Sequence, residues 1–520
     1  MGHTWTPNCP TYFLPIPKGK IADLLLRLTL GVTFCLQVNA QVPRTCYRVA
    51  DVATPEGIAP EVSAVDFTPA GDLVLCFRRG YIYIRDRDTL LWRRFASGLH
   101  TPLGILAAHE DDFYVAQLPE LTRVADTDGD GRADLFETIC DDWGVSGNYH
   151  EFISGPLRDA QGNTYVSLGS TSFGNRALPK QPVRGTLTLR GRLSESPAQG
   201  QVNATGHYSP VSYRGWIVKI GPDGTLTPFA CGFRQPNGIV LDADGELFAV
   251  DNQGDWVGTS PLHHVTFGAF HGHPSSLNWD ESFAMDPVDA PIELLRRRRK
   301  MPAIQFPQDD MAGSTAQPLF DTTEGKFGPY AGQLFIAEWT HPRILRAKLE
   351  KVNGVYQGAC FIFLEGEGLE VANNRMAFAP DGSLYVAQTA RGWGTREGLQ
   401  QVVWTGKTCM DILGMKLTKE GFALTFTKPV NPETALDPAA YPFIHYFYQY
   451  HGEYGSDKMD VTPARVIKVR LSENRLTVRL TLEGLVPGRI YELRPRNIEA
   501  EDGESLVTRI AAYTLNELRD

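Results

Sequence analysis

NGIVLDADGELFAV, residues 237–250, is the stretch that decides the fold. Apolar residues alternate, the chain turns at Asp244-Gly245, and a second apolar run follows, which reads as strand, tight turn, strand. The same arrangement recurs at residues 63–75 (SAVDFTPAGDLVL) and 375–386 (RMAFAPDGSLYV), and in weaker form at 103–115, 154–168 and 317–336. One hairpin cannot bury its own apolar face, so the copies must stack or close into a ring. Their spacing, roughly 40–80 residues, suits propeller blades with insertions between them. The expected fold is all-β, with six copies forming a six-bladed β-propeller over residues 44–405.

From residue 411 the texture changes to KLTKEGFALTFTKPV, ARVIKVRLSENRLTVRLTL and RIYELRPRNI. These period-2 segments predict a small C-terminal β-sandwich of Ig-like kind over residues 411–518. It holds no cluster of catalytic residue types, so its expected role is packing or attachment. Between the third and fourth copies, residues 176–208 form a Gly/Pro/Ser-rich insertion, expected as a long loop over one propeller face.

A net charge of −10 argues against nucleic acid as the main ligand. The basic run Arg296–Lys300 reads as a solvated loop between blades, with a nucleic-acid or anionic-membrane patch as the alternative. Residues 1–40 read as an export signal: Lys18 and Lys20 precede the apolar stretch 21–36, and Val38-Asn39-Ala40 offers a small-residue cleavage site. That stretch is too short and too charged for a stable membrane span, so the expected location is periplasmic or secreted. Six cysteines then remain: Cys46, Cys76, Cys140, Cys231, Cys360 and Cys409. With no CxxC pair, a compact zinc site and covalent c-type haem are excluded; disulfide pairing stays open.

Residues 126–137, DTDGDGRADLFE, form the sharpest local motif. Asp126, Asp128, Asp130, Asp134 and Glu137 fall at the first, third, fifth, ninth and twelfth places of a calcium loop. Gly131 stands sixth, and the carbonyl of Arg132 would be the seventh-place ligand. Strand-like flanks rule out an EF-hand, which leaves an isolated calcium loop on a propeller edge or an acidic turn without metal. His263, His264, His271 and His273, in HHVTFGAFHGHP, could bind a transition metal or shape a packing loop.

Two further segments, NYHEFISGPLRDAQGNTYVSLGS around His150 and CGFRQPNGIVLDADGELFAVDNQGD around Arg234, resemble the soluble glucose/sorbosone dehydrogenases that use pyrroloquinoline quinone (PQQ). The resemblance covers the propeller portion. Residues 374–394, 398–408 and the closing AAYTLN look closer still to secreted planctomycete-type propeller proteins described as membrane-bound dehydrogenase-like or haem-binding. The resemblance implies oxidation of a sugar or related alcohol, with His150 as the base. Arg234 and Asn237 would lie at the cofactor, with Arg375 and Arg391 as the weaker candidates, and a separate cytochrome is an implied electron acceptor. Imidazole suits a base working near neutral pH, and a guanidinium fork suits the carboxylates of a quinone.

The chain also departs from that pattern. Leu168-Gly169 leads to Ser170 where the family has an acidic residue, DWVGTSPLHH (255–264) replaces its acidic stretch, and its cofactor lysine has no counterpart. A structural role for His150 and Arg234 therefore stays open, as does a non-catalytic propeller that binds a glycan or a protein partner such as a cytochrome.

Overall fold

The computed structural model describes residues 46–172, 182–187, 206–287, 289–390 and 394–519. The proposed leader and Arg391 lie outside them. The fold is nearly all-β and propeller-like, built from antiparallel sheets that are four-stranded except for one of eight strands. The sheets begin with strands Val62–Phe67, Pro102–His109, Ile153–Arg158, Gly238–Leu241, Thr315–Phe320 and Asn373–Phe378. Each of these strands packs against the next in chain order, and the last packs against the first. Apolar clusters fill the spaces between neighbouring sheets. Val74, Ile82, Phe113 and Val115 join the first sheet to the second, and Val62, Leu75, Tyr385 and Leu399 join the sixth to the first.

The repeated turn is a local consequence of sequence. Asp242 Oδ1 accepts from the N–H groups of Asp244 (3.0 Å) and Glu246 (2.9 Å), and Gly245 sits at φ +80° with open space around it. Asp159 does the same in its copy, and Asp381, just before its turn glycine, accepts from Ser383 N at 2.8 Å; such Asx turns preset the hairpin. A different glycine requirement appears where the first strands of adjacent sheets meet. A Cβ on Gly104 would sit 1.4 Å from the carbonyl oxygen of Gly155, and one on Gly238 would sit 2.5 Å from Gln317 Cα. The backbones approach too closely there for any side chain.

Strand Tyr47–Asp51 pairs with Gly398–Trp404, so the beginning of the described chain completes the sheet of its last repeat. The disulfide Cys46–Cys409 fastens that junction, with a Cα–Cα distance of 6.0 Å.

The C-terminal strands form two facing sheets. One is Ile412–Thr418, Gly421–Phe426, Thr477–Leu482 and Val466–Leu471. The other continues the fifth propeller sheet, because Ala511–Leu515 pairs with Val355–Glu365 in the register Ala359↔Tyr513. Phe361, Phe422, Leu424, Leu480, Tyr491 and Tyr513 fill the space between them. Hydrogen bonds thus run without interruption from the repeats into the C-terminal strands, which period-2 patterning gave no means to foresee. The basic run also differs from expectation. Instead of a loop, Ile292–Arg298 is a short helix whose last turn carries Arg296, Arg297 and Arg298, where positive charge suits the helix C-terminus. Among the described residues, no helix is long and apolar enough to cross a membrane.

Candidate active site

The segment before strand Ile153–Arg158 carries His150, whose N–H donates to Asn148 Oδ1 at 2.9 Å. The segment between strands Leu226–Cys231 and Gly238–Leu241 carries Arg234, Gln235 and Asn237. Asp251 fixes that second segment by accepting from Arg234 N (2.8 Å) and Gln235 N (2.7 Å). Gln235 ties the two together, because its Nε2 donates to the carbonyl of His150 at 2.9 Å. His150, Arg234 and Asn237 consequently line one cavity of about 400 Å³. Its wall also includes Phe152, Trp339 and Tyr454.

Asp255 is the hub of this cavity. Its Oδ1 accepts from Arg234 Nε at 2.9 Å and lies 3.2 Å from His207 Nδ1. Its Oδ2 accepts from His207 N at 2.7 Å and lies 3.1 Å from His273 Nε2. Burial alone would raise its carboxyl, but the bonds from His207 and His273 outweigh that and hold it well below the usual carboxylate range. Burial, with the Arg234 charge adding to it, pushes His207 down to about 4, so this ring is neutral at pH 7. His150 stacks on His207, with ring centroids 5.5 Å apart. Gly254 matters here because a Cβ would fall 1.9 Å from Arg234 Nε and displace the guanidinium from Asp255.

Arg375 does not line this cavity. It lies buried beside a second one of about 290 Å³, with Asp66, Gly104 and Gly155. It donates to Leu103 O (2.8 Å), Ser154 Oγ (3.0 Å), Asn237 O (3.0 Å) and Asn374 O (3.0 Å). One guanidinium therefore staples four of the six repeats together at their meeting point. Burial without a carboxylate lowers it to about 10. Its contact with the first cavity is indirect, since Nη1 also holds Asn237 Oδ1 at 3.2 Å.

The acidic loop is only partly gathered. Ligand oxygens of Asp126, Asp128 and Asp130 lie within 4.8 Å of one another. Asp126 accepts from Gly129 N and Gly131 N, each at 2.7 Å. Asp134 instead accepts from Thr127 N and Oγ1, each at 2.7 Å. Glu137 stands on strand Leu135–Cys140 opposite Arg123, with a 3.5 Å ion pair. The carbonyl ligand expected from Arg132 belongs to the same loop, where Arg132 N donates to Asp130 Oδ1 at 2.8 Å. The twelfth-place Glu is drawn into a strand register that the motif could not reveal. Asp126–Asp128–Asp130 is the sole group of three such ligands that close together among the described residues.

The four clustered histidines separate three ways. His263 and His271 face each other with Nδ1 atoms 3.2 Å apart, His264 meets Glu246 at 2.7 Å, and His273 meets Asp255. Burial pushes His263 down to about 3 and His271 well below its ordinary range. His271 and His273 lie outside any strand, in the loop that leads into the turn Pro274–Trp279.

Sequence reasoning missed His207, Asn252, Asp255, Trp339 and Tyr454. His207 is the next-to-last residue of the long insertion and Asp255 closes DNQGD, so both were in view, but nothing local pairs them. Tyr454 comes from the C-terminal strands' connection, bridges in backbone to Asp255, and places its ring 5.3 Å from the Arg234 guanidinium. That portion therefore supplies part of the cavity wall as well as packing.

Fold and site together define a propeller-like all-β protein with a buried, hydrogen-bonded Arg–Asp–His network on one cavity. The chain belongs to the family described as Domain of unknown function (DUF7133), which matches residues 86–392. No curated protein matches significantly. Similar solved structures include a putative oxidoreductase (glucose dehydrogenase) from Thermus thermophilus, 20% identical, with a TM-score of 0.48, covering 69% of this chain and 100% of that one. Another is the PQQ-bound aldose sugar dehydrogenase from Streptomyces coelicolor, 17% identical, with a TM-score of 0.42, covering 69% and 99%. A third is the apo soluble aldose sugar dehydrogenase from Escherichia coli, 12% identical, with a TM-score of 0.46, covering 69% and 100%. Likeness of this degree carries no statement about activity.

Proposed function

We propose that this protein is an exported, PQQ-dependent dehydrogenase-like enzyme that oxidises a sugar or related alcohol. The architecture we propose for it is a closed six-bladed propeller (44–405) followed by an Ig-like sandwich (411–518), of the secreted planctomycete type. The observation that carries the reading is the convergence of His150 from one segment with Arg234 and Asn237 from another on one cavity. In this reading a histidine base takes the hydroxyl proton, His150 being the family-matched candidate, and Arg234 anchors an anionic cofactor.

The residues present suit a planar quinone. Trp339 and Tyr454 offer aromatic walls, and Arg234 bonds through its side chain only by Nε among the described residues, which leaves its terminal nitrogens for a ligand carboxylate. Bound there, the quinone would supply a two-electron acceptor. Gln235 and Asp255 hold the base-bearing and cation-bearing segments in fixed relation.

Calcium at Asp126, Asp128, Asp130 and the Arg132 carbonyl is part of the proposal, with Asp134 and Glu137 exchanging Thr127 and Arg123 for the ion. Reconstitution with calcium and PQQ, followed by dye reduction across a sugar panel, tests the reading. No turnover at saturating cofactor removes it.

The second reading, a non-catalytic propeller that binds a glycan or a protein partner such as a cytochrome, is favoured by the single cavity guanidinium being already engaged by Asp255. His150→Ala separates the two, since an enzyme loses turnover and a binder keeps its affinity.

A further inference from the structure

His207 is built as an acceptor. Its backbone N–H donates to one oxygen of Asp255, and its ring Nδ1 faces the other. A carboxylate in that position accepts, so Nδ1 carries the proton. The ring is neutral, and Nε2 is therefore left with its lone pair. Asp255 cannot turn away. His273 holds its Oδ2 from behind, and His273 is itself set by Ser275 Oγ, 2.9 Å from its Nδ1.

Nε2 of His207 is buried and has no hydrogen-bond partner, in a side chain more than nine-tenths buried that lines the cavity. Asn252 Oδ1, on the same cavity, is likewise buried and without a donor. A buried acceptor left unsatisfied costs about 1–3 kcal/mol, and structures retain such groups where a ligand completes them. Two acceptors on one cavity call for a ligand that brings O–H donors, and they repel a carboxylate or phosphate at that end.

We infer that His207, oriented by Asp255, forms with Asn252 the hydroxyl-recognising end of this cavity, and that its ligand is a neutral compound of the sugar or polyol class. The inference deepens the proposed function. On that reading, the bound hydroxyl donates a hydrogen bond to His207 Nε2, and its proton is taken by the histidine base of the proposed function. His150, the candidate base, stacks against this ring.

Histidine ¹⁵N NMR on the full chain at pH 7.5 tests this directly. His207 is expected as the Nδ1–H tautomer, and its Nε2 resonance should move on titration with ethylene glycol, glycerol or D-glucose. Asn252→Ala should weaken that response about tenfold, and Asp255→Asn should change the tautomer population. An Nε2–H tautomer in the wild type, or an Nε2 signal that none of the three probes moves even at molar concentration, overturns the inference. A moving Nε2 without dye reduction sinks only the dehydrogenase reading. Turnover with an unmoved Nε2 sinks only this one. His207→Gln should raise the KM of any turnover about tenfold with kcat less affected, because it removes a hydrogen-bond acceptor and not the base.

Discussion

Replacing Asp255 with alanine removes one carboxylate that serves four donors: Arg234 Nε, His207 N, His207 Nδ1 and His273 Nε2. The largest loss is the uncompensated Arg234 charge, because breaking a buried pair by deleting one partner costs about 3–5 kcal/mol. Arg234 and His207 border a cavity, so water can restore part of their solvation. His273 is fully buried and away from that cavity's lining, and its orphaned N–H adds about 1–3 kcal/mol. The expected total is about 5 kcal/mol, a large share of the roughly 5–15 kcal/mol that holds a domain together. Arg234→Met alone should cost less, about 2–3 kcal/mol, because Asp255 keeps three donors. In the Asp255→Ala background the same change removes the stranded charge, so the pair should couple by about 2–3 kcal/mol. Urea denaturation followed by tryptophan fluorescence measures all four corners of the cycle, with Trp256 and Trp339 close to the site. A loss below about 1 kcal/mol for Asp255→Ala, or additivity within about 0.5 kcal/mol, refutes the reasoning.

Acidification should destabilise the fold. His207 and His263 are held near 4 and 3, below their ordinary 6.5, so the unfolded chain binds more protons than the folded one below pH 6.5. Their stabilisation is present above pH 6.5 and is lost as pH falls toward those values, by about 1.4 kcal/mol each at pH 5.5. Buried Asp66, raised to about 6, acts oppositely by under about 1 kcal/mol at that pH, which leaves a net loss of at least about 2 kcal/mol, with buried His271 adding to it. Denaturation curves at pH 7.5 and 5.5 decide it, and equal or greater stability at 5.5 contradicts the assignment. Gly104→Ala should cost about 3 kcal/mol or more by forcing two backbones apart, whereas Gly245→Asn, with φ +80° but open space, should cost under about 1 kcal/mol. Equal effects in thermal melts would mean that the inner strands are not in such close contact. Reducing Cys46–Cys409 should cost about 2–5 kcal/mol and speed hydrogen exchange in Tyr47–Asp51, the strand it fastens. Unchanged exchange there would show that strand pairing alone secures the junction.

Much of the fold was legible because its signals are local. Alternation over residues 237–250 and the Asp242–Gly245 turn specify a hairpin through contacts within about ten residues, and repetition says that hairpins must stack. His150, Arg234 and Asn237 were also visible, since each sits in a short characteristic phrase. Arg375 was visible too, but its environment was not: whether a guanidinium meets a ligand or four backbone and hydroxyl oxygens depends on strands that are distant in sequence. Glu137 makes the same point, because spacing assigns it to an ion while strand register hands it to Arg123. What the chain alone determined was the alternating hairpin and the turn chemistry that closes it. Only tertiary structure could decide that Asp255 meets His207 and His273, that Tyr454 reaches Arg234, and that Val355–Glu365 accepts Ala511–Leu515 as its neighbour. The reason is physical: a hairpin's energy lies in adjacent residues, whereas a buried charge network exists only once separate sheets have excluded water around it.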